Sequence, residues 1–336
     1  MKIANFDLCK KVLIIAEIGN SHEGDYALAE ELIAKAAEAG ADAVKFQTIV
    51  PDKLVSVKDS ARIKQLSKFQ LSPEQFASLS DKAKQLGVMF LSTPFCRSSV
   101  DFLNELVPAF KIASGDNDFY PLIEKICQTG KPIIISTGLS DINEIKVTKN
   151  FILSKWQQCG TANPGLAILH CVCSYPTPAE QVNLLAIPKL LEIHDVVGYS
   201  DHSLGNRAAI SAVALGARVI EKHFTIDKNY SSFRDHQLSA DPKDLQALVE
   251  EVRNVEIMLG HLGKVLQECE LENKNKVRRS IVAARDLAKD DIIAETDLSW
   301  VRPRDGLSPG QEHLLIGKRL NRDIGKGTRI ILEDIA

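Results

Sequence analysis

One pattern repeats from Val12 to about Leu259: a short apolar run, a cluster of polar residues at its end, and then an amphipathic helical stretch. Repetition of this unit is typical of α/β proteins with a parallel sheet. Eight units fill this part of the chain, which favours a closed (β/α)8 or TIM barrel over an open doubly wound sheet. No GxGxxG motif follows the first run, so a dinucleotide-binding fold is disfavoured. The runs end at Ala16–Gly19, Val44–Thr48, Phe90–Thr93, Phe110–Ser114, Ile134–Thr137, Leu169–Cys171, Gly198–His202 and Glu221–Thr225.

The composition changes after Gly260. Residues 263–276 are charged and lack a clear apolar period, which is typical of a linker. Residues 278–336 contain short β-rich pieces separated by turns, and a module of this size is only marginally stable alone. The sequence therefore predicts a catalytic barrel at 1–260, a linker at 261–277 and a small, mostly-β module at 278–336.

The composition is ordinary for a soluble globular protein. Of 336 residues, 45% are hydrophobic and 25% charged, with a net charge of -3, so neither nucleic acid nor an anionic membrane is indicated as a partner. The longest apolar runs are far too short to span a bilayer, and residues 1–11 contain no signal-peptide core. Seven cysteines at irregular spacing indicate reduced thiols, and hence a cytoplasmic protein.

Polar and ionisable residues collect at the same end of successive predicted strands, which in a barrel is the catalytic face. They are Glu17, Lys45, Thr93, Lys111, Ser114, Ser136, Ser200, His202, Glu221 and His223. Two lysines with several hydroxyls suit a phosphate or a carboxylate, because ammonium groups supply charge and hydroxyls supply directed hydrogen bonds. Any one lysine could equally be a paired structural charge. Charged residues inside apolar strands are rarely buried without a partner or a function, so the set as a whole predicts a site.

Two histidines end neighbouring predicted strands, His202 in the first and His223 in the second, with a helical stretch between them. Neutral imidazoles on adjacent strand ends can share one divalent metal and leave positions open for water and substrate. Each histidine could instead be a hydrogen-bonded rim residue. Further on, Asp235 is either a substrate-reading carboxylate or part of the approach to the next helix.

Eight motifs follow one another through the chain: Ala16–Gly24, Ala41–Thr48, Ser92–Phe95, Phe110–Gly115, Ile135–Gly138, Ser174–Pro178, Gly198–His202 and Glu221–Thr225. Together they resemble the N-acetylneuraminate (sialic acid) synthase family, which includes legionaminic acid synthases. In the tail, Arg279–Arg285, Val301–Pro303 and Ile316–Lys318 resemble the antifreeze-like (SAF) domain of that family. The resemblance covers nearly the whole chain and implies a TIM barrel followed by a SAF domain.

The resemblance implies a transferase that condenses phosphoenolpyruvate with an N-acylated mannosamine-type sugar, giving a nine-carbon 2-keto acid and phosphate. It also implies that His202 and His223 hold a divalent metal, Mn²⁺ or Mg²⁺, which polarises the sugar aldehyde. Glu17 would position or deprotonate the water that attacks C2 of phosphoenolpyruvate. The residues that would hold phosphoenolpyruvate are Lys45, Thr93, Lys111, Ser114, Ser136 and Ser200. Those that would bind and recognise the sugar are Gln47, Tyr175, Glu221 and Asp235.

The resemblance further implies a domain-swapped homodimer in which Arg302 of one subunit touches the sugar at the barrel of its partner. The alternative is a module that folds back on its own barrel. The chain departs from the usual family pattern at Ser232–Arg234, Cys173 and Arg304, all at positions expected to face the sugar. The acceptor therefore stays open between an N-acyl mannosamine, another hexosamine and a sugar phosphate. A non-catalytic sugar-binding barrel is disfavoured, because competent residues fill the metal and phosphoenolpyruvate positions.

Overall fold

The computed structural model describes all 336 residues, which form two compact units, Met1–Gly260 and His261–Ala336. In the first unit a short antiparallel hairpin precedes eight parallel strands that belong to one sheet. The hairpin consists of β1 (Lys2–Ile3) and β2 (Phe6–Asp7). The parallel strands are β3 (Leu13–Gly19), β4 (Ala43–Thr48), β5 (Met89–Pro94), β6 (Phe110–Ile112), β7 (Ile133–Ser136), β8 (Leu166–Cys171), β9 (Val197–Asp201) and β10 (Val219–His223).

The parallel strands form a nearly closed barrel. Their order around the sheet is β5-β4-β3-β10-β9-β8-β7-β6, and β5 and β6 meet at the seam without a hydrogen-bonded ladder between them. Each strand is followed by at least one helix, as the repeated sequence pattern predicts. The predicted TIM barrel is confirmed.

Several helices of this unit begin at residues that cap them. Asp25 caps the first helix, and two others begin with capping boxes, Ser72 with Gln75 and Asp141 with Glu144. The helices are α1 (Tyr26–Glu38), α2 (Pro51–Leu54), α3 (Ser60–Phe69), α4 (Pro73–Gln85), α5 (Arg97–Leu106), α6 (Tyr120–Cys127), α7 (Ile142–Gln158), α8 (Ala186–Leu191), α9 (Arg207–Ala214), α10 (Arg234–Leu238) and α11 (Pro242–Leu259).

The interior of the barrel is apolar at one end and polar at the other. Alternate strand residues point inward, and the apolar layers are closed off by Ile3 and Leu8 of the N-terminal segment. The barrel residues of this inner core are Leu13, Ile15, Ala43, Leu91, Ala109, Ile134, Ala167, Leu169 and Val219. Continued alternation makes Glu17, Lys45 and Glu221 the next inward residues on β3, β4 and β10, so the strand pattern itself carries charge into the barrel.

The long connection between β4 and α4 lies over the mouth of the barrel. Residues 50–70 contain α2 and α3, and Leu54 and Phe69 from these helices line the cavity at the C-terminal ends of the strands. The end of α3 packs against the loop after β3 at Gly24. A Cβ there would lie 1.9 Å from the carbonyl oxygen of Lys68, and φ is +89°, so the contact requires glycine.

The second unit contains α12 (Leu271–Val277) and a two-stranded antiparallel sheet of β11 (Ser280–Ala283) and β12 (Leu298–Val301). Its core consists of Ile281, Ala283, Leu287, Ile293, Leu298, Leu315, Leu320, Ile324 and Ile330. The predicted linker at 261–277 is partly helical, because α12 lies within it. The residues of α12 are all exposed, which explains why the sequence shows no apolar period there.

No helix of the protein combines the length and the apolar character needed to cross a membrane.

Candidate active site

A cavity opens at the C-terminal ends of the barrel strands, with a volume of about 1030 Å³ counted to its open mouth. Every site residue predicted from the sequence lines this cavity except Arg302. Those at the strand ends are Glu17, Lys45, Gln47, Thr93, Lys111, Ser114, Ser136, Ser200, His202, Glu221 and His223, and the loops add Tyr175 and Asp235. The fold thus brings together side chains that lie far apart in the chain.

Four buried charges form a chain of alternating sign at the base of the cavity: Glu17, Lys45, Glu221 and Lys111, here termed the inner quartet. Lys45 Nζ lies 2.6 Å from Glu17 Oε2 and 3.8 Å from Glu221 Oε2. Lys111 Nζ lies 3.7 Å from Glu221 Oε1. Strand register places Glu17 beside Lys45. Because each ammonium has a carboxylate within reach, four charges can be buried together.

Burial and the attraction between opposite charges have opposing effects on the pKa values of the quartet. Burial raises the pKa of Glu17 in spite of the nearby Lys45, and it lowers the pKa of Lys111. Burial also opposes the charged form of Lys45, but Glu17 and Glu221 outweigh it and hold the pKa of Lys45 above its usual value. At Glu221 burial is again outweighed, because Lys111 and Lys45 hold the pKa below its usual value. Glu17 is therefore the carboxyl of the quartet best suited to carry a proton.

Each lysine of the quartet also donates to a hydroxyl group. Lys45 Nζ donates to Thr93 Oγ1 at 2.9 Å, and Lys111 Nζ donates to Ser136 Oγ at 2.7 Å. Lys111 Nζ donates in addition to the carbonyl oxygen of Ile112 at 2.9 Å. The ammonium groups are thereby fixed in position, at the end of the barrel where a substrate anion would enter.

The two carboxylates are held by further polar side chains. Gln47 Nε2 donates to Glu17 Oε1 at 2.9 Å, and Asn20 Nδ2 donates to Gln47 Oε1 at 2.9 Å. Ser200 Oγ donates to Glu221 Oε1 at 3.0 Å. Asn20 is buried, lines the cavity and was not among the predicted site residues. Its position directly after β3, at the catalytic face, was the available signal.

The two histidines predicted as metal ligands lie side by side, with ring centroids 5.5 Å apart. Burial lowers the pKa of His202 to about 4 and also lowers that of His223, so both imidazoles are neutral at pH 7 and offer a lone pair. His202 Nδ1 donates to the carbonyl oxygen of Val172 at 2.8 Å. His223 Nδ1 is buried and has no hydrogen-bond partner.

An unpartnered buried nitrogen beside a second neutral imidazole fits a pair of metal ligands. The structure does not gather three or more His, Cys, Asp and Glu side chains into a metal-binding cluster. Two histidines alone would leave most coordination positions to water and substrate, so the metal stays a prediction.

Tyr175, Arg234 and Asp235 form one wall of the cavity. The Tyr175 ring lies against His202, with centroids 4.1 Å apart, and the guanidinium carbon of Arg234 lies 4.9 Å from the Tyr175 centroid. Arg234 Nε is 3.4 Å from Asp235 Oδ1. Asp235 belongs to the short helix α10 and faces the cavity, rather than leading into α11.

Behind this wall, a buried histidine ties two loops together. His236 Nε2 lies 3.0 Å from Glu23 Oε1, and His236 Nδ1 lies 2.6 Å from Thr225 Oγ1. Ser231 Oγ also donates to Glu23 Oε1. These bonds join the loop after β10 to the loop after β3. No local sequence pattern indicates this link, because Glu23 and His236 are 213 positions apart.

Cys171 and Cys173 differ from each other in exposure. Both line the cavity, but Cys171 is buried, whereas Cys173 is only half-buried. A hydrogen bond with Cys171 lowers the pKa of Cys173 to about 6, and the same bond, together with burial, raises the pKa of Cys171. The thiolate form is therefore favoured at Cys173 over Cys171.

Arg302 lies outside this set. It follows directly after β12 in the C-terminal unit and is exposed, as is Val301 before it. It is not among the residues that line the cavity. Its predicted action in the barrel of a partner subunit stays a prediction.

Known proteins resemble both units. Residues 32–264 match the NeuB family, and residues 278–336 match the SAF domain. The chain is 43% identical to an uncharacterized protein of Methanocaldococcus jannaschii, over 96% of this chain and 94% of that protein. It is 39% identical to the N,N'-diacetyllegionaminic acid synthase of Campylobacter jejuni, over 92% of this chain and 96% of that enzyme.

A solved structure shows the same likeness. The crystal structure of the N-acetylneuraminic acid (sialic acid) synthetase of Leptospira borgpetersenii, in complex with citrate, is 32% identical in sequence. It superposes with a TM-score of 0.75, covering 81% of this chain and 94% of that chain. The resemblance found in the sequence motifs is confirmed: the chain belongs to the NeuB family, whose named members among these relatives are acid synthases, and it carries a SAF domain.

Proposed function

We propose that the protein is a nonulosonic acid synthase of the sialic or legionaminic type, which condenses phosphoenolpyruvate with an N-acylated mannosamine-type sugar. The observation that carries this proposal is the inner quartet, two buried lysines and two buried glutamates at the base of the barrel mouth. Relatives with named activities are acid synthases, which supports the same reaction class. The products are a nine-carbon 2-keto acid and inorganic phosphate.

In this proposal the lysines and hydroxyls hold phosphoenolpyruvate. Lys45 and Lys111 supply charge, and Thr93 and Ser136 hold them in place through the bonds described above. Lys111 Nζ lies 3.7 Å from Glu221 Oε1, a distance beyond that of a hydrogen bond, so this ammonium can also bind the phosphate or the carboxylate of the substrate. A charge-assisted contact to a fixed ammonium is stronger than one to a neutral donor, which favours a highly charged substrate here.

The enol carbon C3 of phosphoenolpyruvate forms the new bond to the aldehyde carbon of the sugar. Water then adds at C2, the bond between C2 and the phosphate oxygen breaks, and the C2 carbonyl forms as phosphate leaves. We assign to Glu17 the role of positioning or deprotonating this water, because burial raises the pKa of Glu17 and so favours proton exchange at this carboxyl. Gln47, which donates to Glu17 Oε1, fixes the orientation of this carboxyl.

His202 and His223 would hold a divalent metal, Mn²⁺ or Mg²⁺, which when bound supplies Lewis-acid polarisation of the sugar aldehyde. The neutral state of both imidazoles and the unpartnered Nδ1 of His223 support this assignment. Tyr175, Glu221 and Asp235 would contact the sugar. Tyr175 and Asp235 stand on the loop wall, whereas Glu221 is tied to both lysines of the quartet and so also sets their position.

The test is a phosphate-release assay with phosphoenolpyruvate and a panel of N-acyl hexosamines and their 6-phosphates. Release that depends on both substrates, with a 2-keto acid formed in equal amount, supports the proposal. Glu17→Gln keeps the size of the side chain and removes its ability to carry a proton, so it is expected to lower kcat by about 10²- to 10⁴-fold. Unchanged turnover in Glu17→Gln would rule out the role of Glu17, and no release with any acceptor would refute the reaction.

A further inference from the structure

Two cysteines lie next to each other at the end of strand β8, at the mouth of the barrel. Cys171 is the last residue of the strand, and Cys173 follows after one residue. Residues two positions apart on an extended chain point to the same side, and both of these side chains line the cavity. Their thiols are free and are joined by a hydrogen bond. The structure therefore holds two reduced sulfurs together where small molecules can enter.

The place of the Cys173 sulfur depends on a neighbouring glycine. A Cβ at Gly138 would lie 2.5 Å from Cys173 Sγ and 2.8 Å from Ser114 Oγ, so a larger residue there would displace the sulfur. Ser114 Oγ is hydrogen-bonded to both thiols and accepts from the Gly138 N–H at 3.0 Å. Packing and hydrogen bonds thus hold both sulfurs in one position.

The two thiols differ in access. Cys173 is half-buried, whereas Cys171 is only 5% exposed and its Sγ lies 3.7 Å from Nδ1 of His202. An oxidant that enters the cavity therefore meets Cys173 first and finds Cys171 directly behind it. An accessible cysteine backed by a second, resolving cysteine is the usual arrangement of a thiol that is oxidised reversibly.

We infer that Cys173 and Cys171 form a peroxide-sensitive dithiol, whose oxidation to a disulfide inactivates the site at the barrel mouth until a thiol reductant restores it. This inference goes beyond the proposed function. The modification itself does not depend on which reaction the barrel catalyses.

The chemistry consumes one molecule of peroxide for each disulfide. The Cys173 sulfur attacks one peroxide oxygen, the O–O bond breaks, and a sulfenic acid forms as the other oxygen leaves as water with the thiol proton. The Cys171 sulfur then attacks the Cys173 sulfur, and the S–O bond breaks. The hydroxyl group leaves as a second water with the Cys171 proton. Two thiols are oxidised by two electrons, which reduce the peroxide.

Forming the disulfide has to move groups at the site. An S–S bond is about 2.05 Å long, much shorter than a hydrogen-bonded contact between two thiols, so the sulfurs must shift from their places beside Ser114 and His202. These two residues are assigned above to phosphoenolpyruvate and to the metal. A misplacement of about 1 Å in an active site can lower turnover by about 10²-fold, so the oxidised protein should be strongly impaired.

The test follows the mass of one peptide and turnover in the same samples. Cys159 lies on the same tryptic peptide as Cys171 and Cys173, between Lys155 and Lys189, so the purified Cys159→Ser protein serves as the background. Cys159 is exposed and does not line the cavity. After treatment with hydrogen peroxide, this peptide should lose two hydrogen atoms, and phosphate release should fall by about 10²-fold. Dithiothreitol should reverse both changes.

Two further variants in this background assign the roles of the thiols. With Cys171→Ser the peptide should gain oxygen instead of losing hydrogen, because the resolving thiol is absent. With Cys173→Ser peroxide should leave turnover at the untreated level of that variant. A pair that stays reduced, a peptide that gains oxygen while both cysteines are present, or a disulfide with full turnover would overturn the inference. If no acceptor supports turnover, the proposed function fails, and the mass change still decides whether the pair is oxidised.

Discussion

Strand β10 carries buried ionisable side chains on both of its faces, and the two faces are built differently. Asp201 and Lys222, here termed the outer pair, face away from the barrel axis, lie opposite each other in strand register and have no exposed side-chain surface. Glu221 and His223, the neighbours of Lys222 in sequence, line the cavity on the inner side. One strand of five residues thus contributes to two polar clusters.

The outer pair is saturated with hydrogen bonds. Lys222 Nζ donates to Asp201 Oδ2 at 2.9 Å and also to the carbonyl oxygen of Ser203. Asp201 Oδ1 accepts from the Tyr199 hydroxyl at 3.1 Å and from the Ser203 N–H at 2.8 Å. A buried ion pair in which both partners are satisfied needs nothing from outside the protein.

The inner side is left incomplete. Glu221 Oε2 and His223 Nδ1 are buried and have no hydrogen-bond partner. Burying a polar atom without a partner costs free energy, so such atoms persist where a ligand supplies what is missing. Burial of charge therefore does not by itself mark a site. The inner set is distinguished by unpartnered atoms on residues that line the cavity, whereas the outer pair serves the fold.

The largest effect on stability is expected when one member of the outer pair is removed. Lys222→Met leaves Asp201 buried without its counter-charge and is expected to lower the free energy of unfolding by about 3–5 kcal/mol. Urea denaturation of the purified protein measures this change. The double variant Asp201→Asn/Lys222→Met removes both charges and should recover much of the loss. A single variant as stable as the wild type would contradict the structural role of the pair.

The corresponding change in the inner quartet should act on turnover. Lys45→Met removes an ammonium aimed at the substrate anion, and kcat/KM should fall by about 10²- to 10³-fold, as when a preorganised donor is deleted. Its effect on the free energy of unfolding should be smaller than that of Lys222→Met, because the quartet borders an open cavity that water can enter. If Lys45→Met were the more destabilising of the two and retained activity, the assignment of the two clusters would be reversed.

The predicted metal site can be tested by removing His223, whose buried Nδ1 has no hydrogen-bond partner. His223→Ala, or chelation of the wild-type protein, should lower turnover by at least about 100-fold, because Lewis-acid activation contributes several kcal/mol. Titration with Mn²⁺ followed by calorimetry should show one site in the wild type and none in the variant. His261→Ala removes an exposed histidine of the C-terminal unit and serves as the matched control. Full turnover of the chelated enzyme would exclude the metal.

The thiols of Cys173 and Cys127 differ in a similar way, because Cys173 lines the cavity and Cys127 is buried in the core. The hydrogen bond from Cys171 lowers the pKa of Cys173 to about 6, whereas burial raises that of Cys127 to about 12. Iodoacetamide should therefore label Cys173 slowly below pH 6, faster as pH rises through this value, and at a constant rate above it. Cys127 is buried on helix α6 and does not line the cavity, so it should stay unlabelled at every pH tested. Mass spectrometry of the labelled peptides measures both, and a Cys173 rate that still climbs at pH 9 would contradict the shift.

The smallest expected effect concerns the C-terminal unit, whose predicted site residue, Arg302, is exposed and outside the cavity. We predict that Arg302 acts on the barrel of a partner subunit in a domain-swapped homodimer. Arg302→Ala should then lower activity moderately, by about 10-fold. Co-expression of Arg302→Ala with His202→Ala should restore part of the activity, because one site of each mixed dimer would be intact. Mixed dimers no more active than their parents would exclude action in trans.

Much of this architecture follows from local sequence. The repeat of apolar run, polar cluster and helix fixes the (β/α)8 barrel, because strands and helices of these lengths bury their apolar faces in few other ways. Period-two alternation along β10 places Glu221 and His223 on one face and Lys222 on the other. The motifs at the strand ends indicate the family, and nearly all of the predicted site residues line one cavity.

Contacts between distant segments could not be deduced in this way. Three features depend on how separate loops pack over the mouth: the link from His236 to Glu23, the edge-to-face contact of Phe69 with Phe233, and the hydrogen bond from Asn20 to Gln47. A loop sequence limits its own conformation but does not state which other loop it will meet, so these features escaped prediction.

The barrel, the face of each strand on which a residue lies, and the family can all be inferred from the order of the amino acids. Which charges meet depends on how the strands are aligned: strand register sets Lys222 against Asp201 and Glu17 against Lys45, and barrel closure brings Lys111 to Glu221. The two differ because alternation along a strand is a property of one segment, whereas the partner of a buried charge depends on the alignment of two segments.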